Sequence, residues 1–279
     1  MLRVEEMRAE DFPFAVKLAN TMDWNMAESD LEFMSKLEPD GCFVLFHAQE
    51  PVGIATCINY GKTGWFGNLA VKEEHRKEGA GTALVKHAVQ HLRSRGVETV
   101  GLYAYPHLVD FYGKLGFAPH GDFVVFSGKP SSSRGSGDFQ SIKRKDIPTI
   151  IEFDIECWGW NRKKLLEPIL LDKDNLSLLS SENNEVVGFV AAKVYKDMAE
   201  IGPFICRRDR SDVGVDLLQA ILAKLRKLET YICVPIEEKA ILETLQKAGL
   251  KETFRLTRMF LGSVPAQNCV YLPESLERG

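Results

Sequence analysis

Leu69-Ala70-Val71-Lys72-Glu73-Glu74-His75-Arg76-Lys77-Glu78-Gly79-Ala80-Gly81-Thr82-Ala83-Leu84 is the stretch from which the fold is read. A β-rich run, Trp65–Val71, ends there, a charged turn follows, and two glycines open a helical pattern. Leu84, Val85, Ala88 and Leu92 share one face of that helix, predicted over Gly81–Arg95, and Gly96 stops it. A helix start leaves several backbone N–H groups unpaired, with the positive end of the helix dipole behind them. It is therefore a ready anion site. Gly79 and Gly81 have no Cβ, so a phosphate can approach the backbone. Arg76 can add a charge-assisted hydrogen bond worth roughly 1.5–3 kcal/mol. The loop lacks the Gly-Lys-Ser/Thr of a nucleotide P-loop and is not G-x-G-x-x-G. By residue chemistry alone, it is a phosphate cradle between a strand and a helix.

Outward from this loop the chain alternates helix-period and strand-rich segments. Residues 11–20 and 28–37 carry helical spacing, Cys42–Ala48 and Val52–Tyr60 read as a hairpin, and Val97–Tyr105 as a strand. A short helix, His107–Leu115, closes at Gly116, and Phe123–Ser127 is a strand. The order then recurs: helices 146–157 and 162–171, strands near 175–181, 186–195 and 199–206, helix 213–228, strand 229–234, helix 237–248, strand 253–261. Four short matches support a duplication: Asp11-Phe12-Pro13 with Asp146-Ile147-Pro148, Val52-Gly53 with Val187-Gly188 and Gly67 with Gly202 at an offset of 135, and Gly116 with Gly249 at 133. The Gly-, Ser- and Pro-rich run Ser127–Gly137 cannot build a core and reads as a linker. The division expected is residues 1–128, a flexible linker at 129–141, and residues 142–279.

Arg76-x-x-Gly79-x-Gly81 resembles the R/Q-x-x-G-x-G/A motif of the GNAT (GCN5-related N-acetyltransferase) family. Phe111-Tyr112-Gly113-Lys114-Leu115-Gly116-Phe117 is similar to its second marker, FY-x-x-LGF. The resemblance covers roughly residues 1–128. It implies an α/β (α+β) architecture of two tandem GNAT folds, each a mixed, mostly antiparallel twisted sheet flanked by helices. It also implies acetyl-CoA as co-substrate without a metal. The pyrophosphate would lie on Arg76, Lys77, Glu78, Gly79, Ala80, Gly81 and Thr82, and the pantetheine along the backbone of Leu69, Ala70 and Val71. Tyr112 would protonate the leaving thiolate; its alternative is a core aromatic. Trp24 and Asn25 would help wall the acceptor pocket, with core packing an equal alternative. The resemblance has departures: Glu73 replaces a frequent Pro, Tyr105 a frequent Asn, and no carboxylate lies on Trp65–Val71, where many members place a general base.

That last absence has a size. A lysine-like amine of pKa ~10.4 is free base about once in 2,500 at pH 7, so supplying it costs about 4.6 kcal/mol. His107 lies near the motif and titrates in the right range, although a first-turn helix residue with no proton role fits it as well. His87 and His91 are spaced i, i+4 but lack the glutamate of H-E-x-x-H and read as a solvated helix face.

In the second half, the same offset maps Arg76 to Ser211, Gly79 to Gly214 and Gly81 to Asp216, so a carboxylate replaces the second glycine. This half is expected to keep the fold and not bind CoA. Its opening, Asp154-x-x-x-x-Gly159-x-x-Arg162-x-x-Leu165-Leu166, with Gly202-Pro203 and Arg258-Met259, is similar to the C-terminal domain of certain two-domain GNAT proteins. Asp154, Glu156 and Arg162 either reach toward the partner domain and contact substrate or pair with one another on a surface, the reading preferred here.

The composition narrows the classes. The 279 residues carry 35 Lys and Arg against 39 Asp and Glu, a net charge of −4 that argues against broad nucleic-acid binding. No apolar run reaches the ~18 residues of a membrane span. The six cysteines are scattered without a C-x-x-C pair, so zinc and a dense disulfide framework are not expected and a reducing, cytoplasmic setting is. The function expected is acetyl transfer from acetyl-CoA to an amine of a small molecule, protein or peptide, in a ternary complex. A CoA-binding sensor or adaptor and an acyltransferase for longer chains stand as alternatives.

Overall fold

The computed structural model describes residues 1–131, 139–264 and 267–279. The first half contains β1 (Leu2–Glu6), α1 (Phe12–Asn20), α2 (Glu28–Leu37), β2 (Cys42–His47), β3 (Glu50–Asn59), β4 (Thr63–Val71), α3 (Ala80–Ser94), β5 (Thr99–Ala104), α4 (Val109–Gly113) and β6 (Ala118–Gly128). The second repeats the order as β7 (Gln140–Ser141), α5 (Ile147–Trp158), α6 (Lys163–Leu171), β8 (Leu176–Glu182), β9 (Glu185–Val194), β10 (Met198–Arg207), α7 (Ser211–Lys224), β11 (Glu229–Pro235), α8 (Lys239–Lys247) and β12 (Lys251–Leu261). A last strand, β13 (Cys269–Leu272), follows the repeat.

Three of the four sequence matches between the halves mark devices of strand, helix and turn. Asp11 and Asp146 each accept the N–H of the residue three positions earlier (Arg8 at 2.8 Å, Lys143 at 2.9 Å), while Pro13 and Pro148 sit in the first turn of α1 and α5. Gly53 and Gly188 let a leucine of the overlying helix, Leu84 or Leu217, rest on the strand: a Cβ at either would meet that leucine at 3.1 Å. Gly116 and Gly249 turn the chain from α4 into β6 and from α8 into β12 with φ of 92° and 91°, which favours glycine.

All strands belong to one sheet, in the order β1-β2-β3-β4-β5-β12-β6-β11-β10-β9-β8-β7, with β13 on β10. The halves interleave, because β12 of the second half lies antiparallel between β5 and β6 of the first, and β6 also pairs with β11. The parallel pairs, β4 with β5 and β10 with β11, are short. On one face of the sheet, α3 covers Phe66, Val100 and Leu102, and α7 and α8 cover Val124, Phe126 and Ile232. On the inner face, α1, α2, α5 and α6 bury an aromatic cluster containing Trp65, Trp158, Trp160, Phe260 and Tyr271. The segment Pro273–Gly279 runs over this inner face.

The structure corrects several expectations. The 129–141 linker is not structureless at its ends: Ser131 N–H donates to Ala248 O (2.8 Å), and Gln140–Ser141 pair with Leu178–Leu179. Residues 132–138 of that linker lie outside the described residues. Asp154 and Arg162 do pair, but not on a surface: both side chains are fully buried. Arg162 Nη2 donates to Asp154 Oδ1 at 2.6 Å and Nε to Oδ2 at 3.2 Å, while Nη1 reaches Tyr271 Oη at 2.7 Å and Gly279 O at 3.2 Å. Burial raises the Asp154 carboxyl, and the guanidinium works against that rise. Gly159, the motif's glycine, ends α5. Cys157 and Cys269 form a disulfide across 112 residues, where a reducing setting is the sequence reading. Their separation hides the pairing until α5 and β13 pack together.

Candidate active site

The first-half cleft is opened by a failure of pairing. β4 runs parallel to β5 only over Thr63–Trp65 against Thr99–Gly101, and beyond Trp65 the two strands splay. On its other edge β4 stays bound to β3, but with a bulge: Ala70 faces Ile54 and Gly67 faces Thr56, so Asn68 and Leu69 stand opposite the single residue Ala55. Asn68 takes φ 51°, and its Nδ2 donates to Thr56 Oγ1 at 3.1 Å. A bulge bends its strand and re-aims the backbone. The backbone of Leu69–Val71 thus faces a slot on the β5 side.

The cradle adjoins this slot. Lys77 and Gly79 both take positive φ (68° and 87°), and α3 begins at Ala80 with no side chain capping it. Ala83 N–H makes the first helical bond, to Gly79 O at 2.9 Å, so the N–H groups of Ala80, Gly81 and Thr82 precede the intrahelical ladder. A Cβ on Gly79 would meet nothing within 4 Å, so open space faces the backbone there. Gly81 differs from the sequence reading: its missing Cβ faces the Phe111 ring (3.4 Å) and Leu69, so it sets packing against α4. Arg76 is exposed, and its Nε donates to Val71 O at 2.9 Å, which ties the loop to the end of β4. Glu78 reaches back to His75 at 3.4 Å. The geometry leaves an uncapped helix terminus, suited to an anion, beside an unpaired strand edge on β4.

Tyr112 is buried on α4, its ring edge-on to Phe66, Phe111 and Phe117. Burial pushes its phenol well above the ordinary value, so it stays protonated, as a proton donor must. His107 is exposed and stacks on Tyr105 at 5.9 Å. Trp24 is half-buried and packs against the inner-face core, while Asn25 is exposed with φ 51°; Asn20 closes their loop through bonds to Met26 N–H and O. His87 and His91 are not a solvated face: both rings lie edge-on to Phe43, and His91 Nε2 is 3.7 Å from Asp40. Burial lowers the pKa of both. Among the described residues no cluster of three or more His, Cys, Asp or Glu side chains is placed to hold a metal ion. Among the described residues no helix is long and apolar enough to cross a membrane.

The second half builds the same splay and fills it. β10 is parallel to β11 over Met198–Ile201, and beyond that Phe204–Arg207 pair with Leu272–Cys269 of β13. The loop before the helix is also gone. Arg208–Arg210 form a 3-10 turn and α7 starts at once at Ser211, so the positions matching Arg76 and Gly79 lie inside a helix. Arg210 is paired with Glu182 and Asp212. Asp216, onto which Gly81 maps, lies in the second turn of α7, within the helix expected over 213–228.

Sequence reasoning missed β13 and the segment after it. The signal was present in Gly67 and Gly202, glycines inside strands, which mark close approach of another backbone. A Cβ on Gly202 would meet Pro273 O at 2.2 Å and Glu274 O at 2.7 Å; one on Gly67 would meet Glu277 Cα at 2.5 Å.

Known proteins share this arrangement. Residues 1–117 match a family model described as the acetyltransferase (GNAT) family, and residues 150–271 one described as an acetyltransferase (GNAT) domain. A holothin acyltransferase from Pseudoalteromonas sp. (strain SANK 73390) is 24% identical over 259 residues, covering 92% of this chain and 86% of that protein. A Pyrococcus horikoshii protein described as an acetyltransferase superposes with a TM-score of 0.82 at 23% identity, over 100% of this chain and 96% of the other. A tandem GNAT protein from the clavulanic acid biosynthesis pathway gives 0.62 at 12% identity, over 96% and 100%. With a GNAT match on each side of residues 118–149 and one repeated element order, the chain belongs to the GNAT acyltransferases and carries two GNAT units in tandem.

Proposed function

We propose that the first half transfers an acetyl group from acetyl-CoA to a primary amine by direct attack in a ternary complex. The observation that carries this is the open β4–β5 splay beside the uncapped α3 terminus, set against a second splay closed by β13. Residues 76–82 hold the pyrophosphate, the backbone of 69–71 orients the thiol arm, and Tyr112 supplies the proton to the leaving sulfur. The second half holds no CoA, because its slot is filled by the chain's own strand. The acceptor we favour is the amine of a small molecule rather than of a protein or peptide. The segment Pro273–Gly279 already covers the inner face, and the holothin acyltransferase relative is named for a small molecule. The test is calorimetric titration of acetyl-CoA, followed by thiol release across a panel of small amines and peptides. One acetyl-CoA per chain with amine-stimulated thiol release supports the reading. Two per chain removes the argument from β13, and absence of binding removes the activity.

A further inference from the structure

The splay between β4 and β5 is a slot through the sheet with two mouths. The α3 terminus lies at one mouth, with Phe66 and Leu69. Trp65 and Gly67 face the other, on the inner side. A thioester delivered from the α3 side leaves only the inner mouth for an amine. Gly67 is the first inward-facing position of β4 beyond the last β4–β5 pair, Trp65 with Gly101. The segment Pro273–Gly279 is pinned there by first-half side chains: Trp65 Nε1 donates to Leu276 O at 3.0 Å, and Tyr60 Oη donates to Arg278 O at 2.7 Å. The residue between them, Glu277, lies on Gly67, with its Cα and Cβ each 2.5 Å from where a Gly67 Cβ would stand. β4 itself carries no carboxylate over Thr63–Val71.

We propose that Glu277, laid on Gly67 at the inner mouth of the first-half cleft, is the general base for the attacking amine. This rests on the acyl-transfer reading above. The Glu277 side chain is 26% exposed, and Arg278 Nη1 holds Oε1 at 2.8 Å. The neighbouring buried charges are otherwise paired among themselves. Glu274, fully buried, is bound by Arg278 Nε at 2.7 Å and Lys193 Nζ at 2.5 Å, and Lys193 also binds Glu200 at 2.7 Å. Glu277 takes one proton from the ammonium and passes it to water. The amine nitrogen attacks the thioester carbonyl carbon, a C–N bond forms and the C–S bond breaks. The sulfur leaves with the Tyr112 proton, and the surplus proton on nitrogen returns to Tyr112 through solvent. One proton is released per turnover.

The test is Glu277→Gln and Glu277→Asp in the full chain, with acetyl-CoA and two amine classes, alkylamines and weakly basic arylamines. A general base is worth about 100-fold or more. For alkylamines, kcat/KM of Glu277→Gln should fall by about that factor at neutral pH, and the deficit should close as pH rises towards the amine's own pKa of ~10.4, where free base is supplied by solution. Arylamines, already free base, should lose less than about threefold. Glu277→Asp should keep most of the alkylamine rate at neutral pH. Acetyl-CoA affinity and melting temperature should match the parent chain. Equal losses for both amine classes would show a merely structural role and overturn the proposal, as would unchanged alkylamine rates in an active parent. A parent chain inactive on every amine would instead overturn the acyl-transfer reading, and the proton role with it.

Discussion

Asp154→Ala should cost this protein a large part of its stability. Both Asp154 and Arg162 are fully buried, and the aspartate takes two of the four hydrogen bonds of the guanidinium. Removing it leaves a positive charge in the inner-face core with only Tyr271 Oη and Gly279 O as partners. Breaking a buried pair from one side costs about 3–5 kcal/mol. Against a typical total of about 5–15 kcal/mol, that is a fifth or more. At roughly 2–4 °C per kcal/mol for a chain this size, the melting temperature should fall by roughly 10 °C. Asp154→Leu with Arg162→Met removes both charges and should recover most of that loss, since a well-packed apolar pair replaces a buried ion pair at little cost. Urea unfolding followed by circular dichroism gives the three midpoints. A loss below about 1 kcal/mol for Asp154→Ala, the size of an exposed pair, would refute the burial argument and restore the surface reading.

Tyr112→Phe should lower kcat with acetyl-CoA affinity unchanged, read by steady-state thiol release and calorimetry; unchanged turnover would remove Tyr112 from the chemistry. Reducing Cys157–Cys269, or Cys269→Ser, should lower stability by about 4–5 kcal/mol on the chain-entropy estimate for a loop of this length, read as a drop in melting temperature with reductant. Burial raises the Glu274 carboxyl, but Arg278 and Lys193 outweigh it and hold it down at about 2. Its contribution is complete above the ordinary value near 4.5 and is lost as pH falls from there towards 2. The parent chain should therefore lose more stability than Glu274→Gln over that window, in melts at stepped pH.

Much of the architecture was legible because it is local. The α3 cradle is a strand, a glycine turn and an amphipathic helix in consecutive residues. The repeat shows itself through short devices: Asp with Pro at a helix start, and glycine at the turns of Gly116 and Gly249. Those depend on near neighbours, so residue type and spacing carry them. The second half's loss of the loop was also legible, although for a different reason. Asp216 was taken as a repelling carboxylate, whereas α7 begins at Ser211 and leaves no loop.

The rest depends on residues far apart in the chain. Strand exchange places β12 between β5 and β6, because edges left open by one half are completed by the other. The Asp154–Arg162 pair is buried because Tyr271 and Gly279, more than a hundred residues later, close over it. The strand glycines Gly67 and Gly202 carry a signal of close approach, but not the identity of the approaching segment. By itself the sequence determined the fold family, the duplication and the strand–glycine turn–helix that opens α3, each a matter of spacing within a few turns of chain. Only the tertiary structure decided which cleft stays open and which segment lies over its inner mouth. β13 and Glu277 arrive there by packing across the inner face, and no local pattern encodes where a distant segment comes to rest.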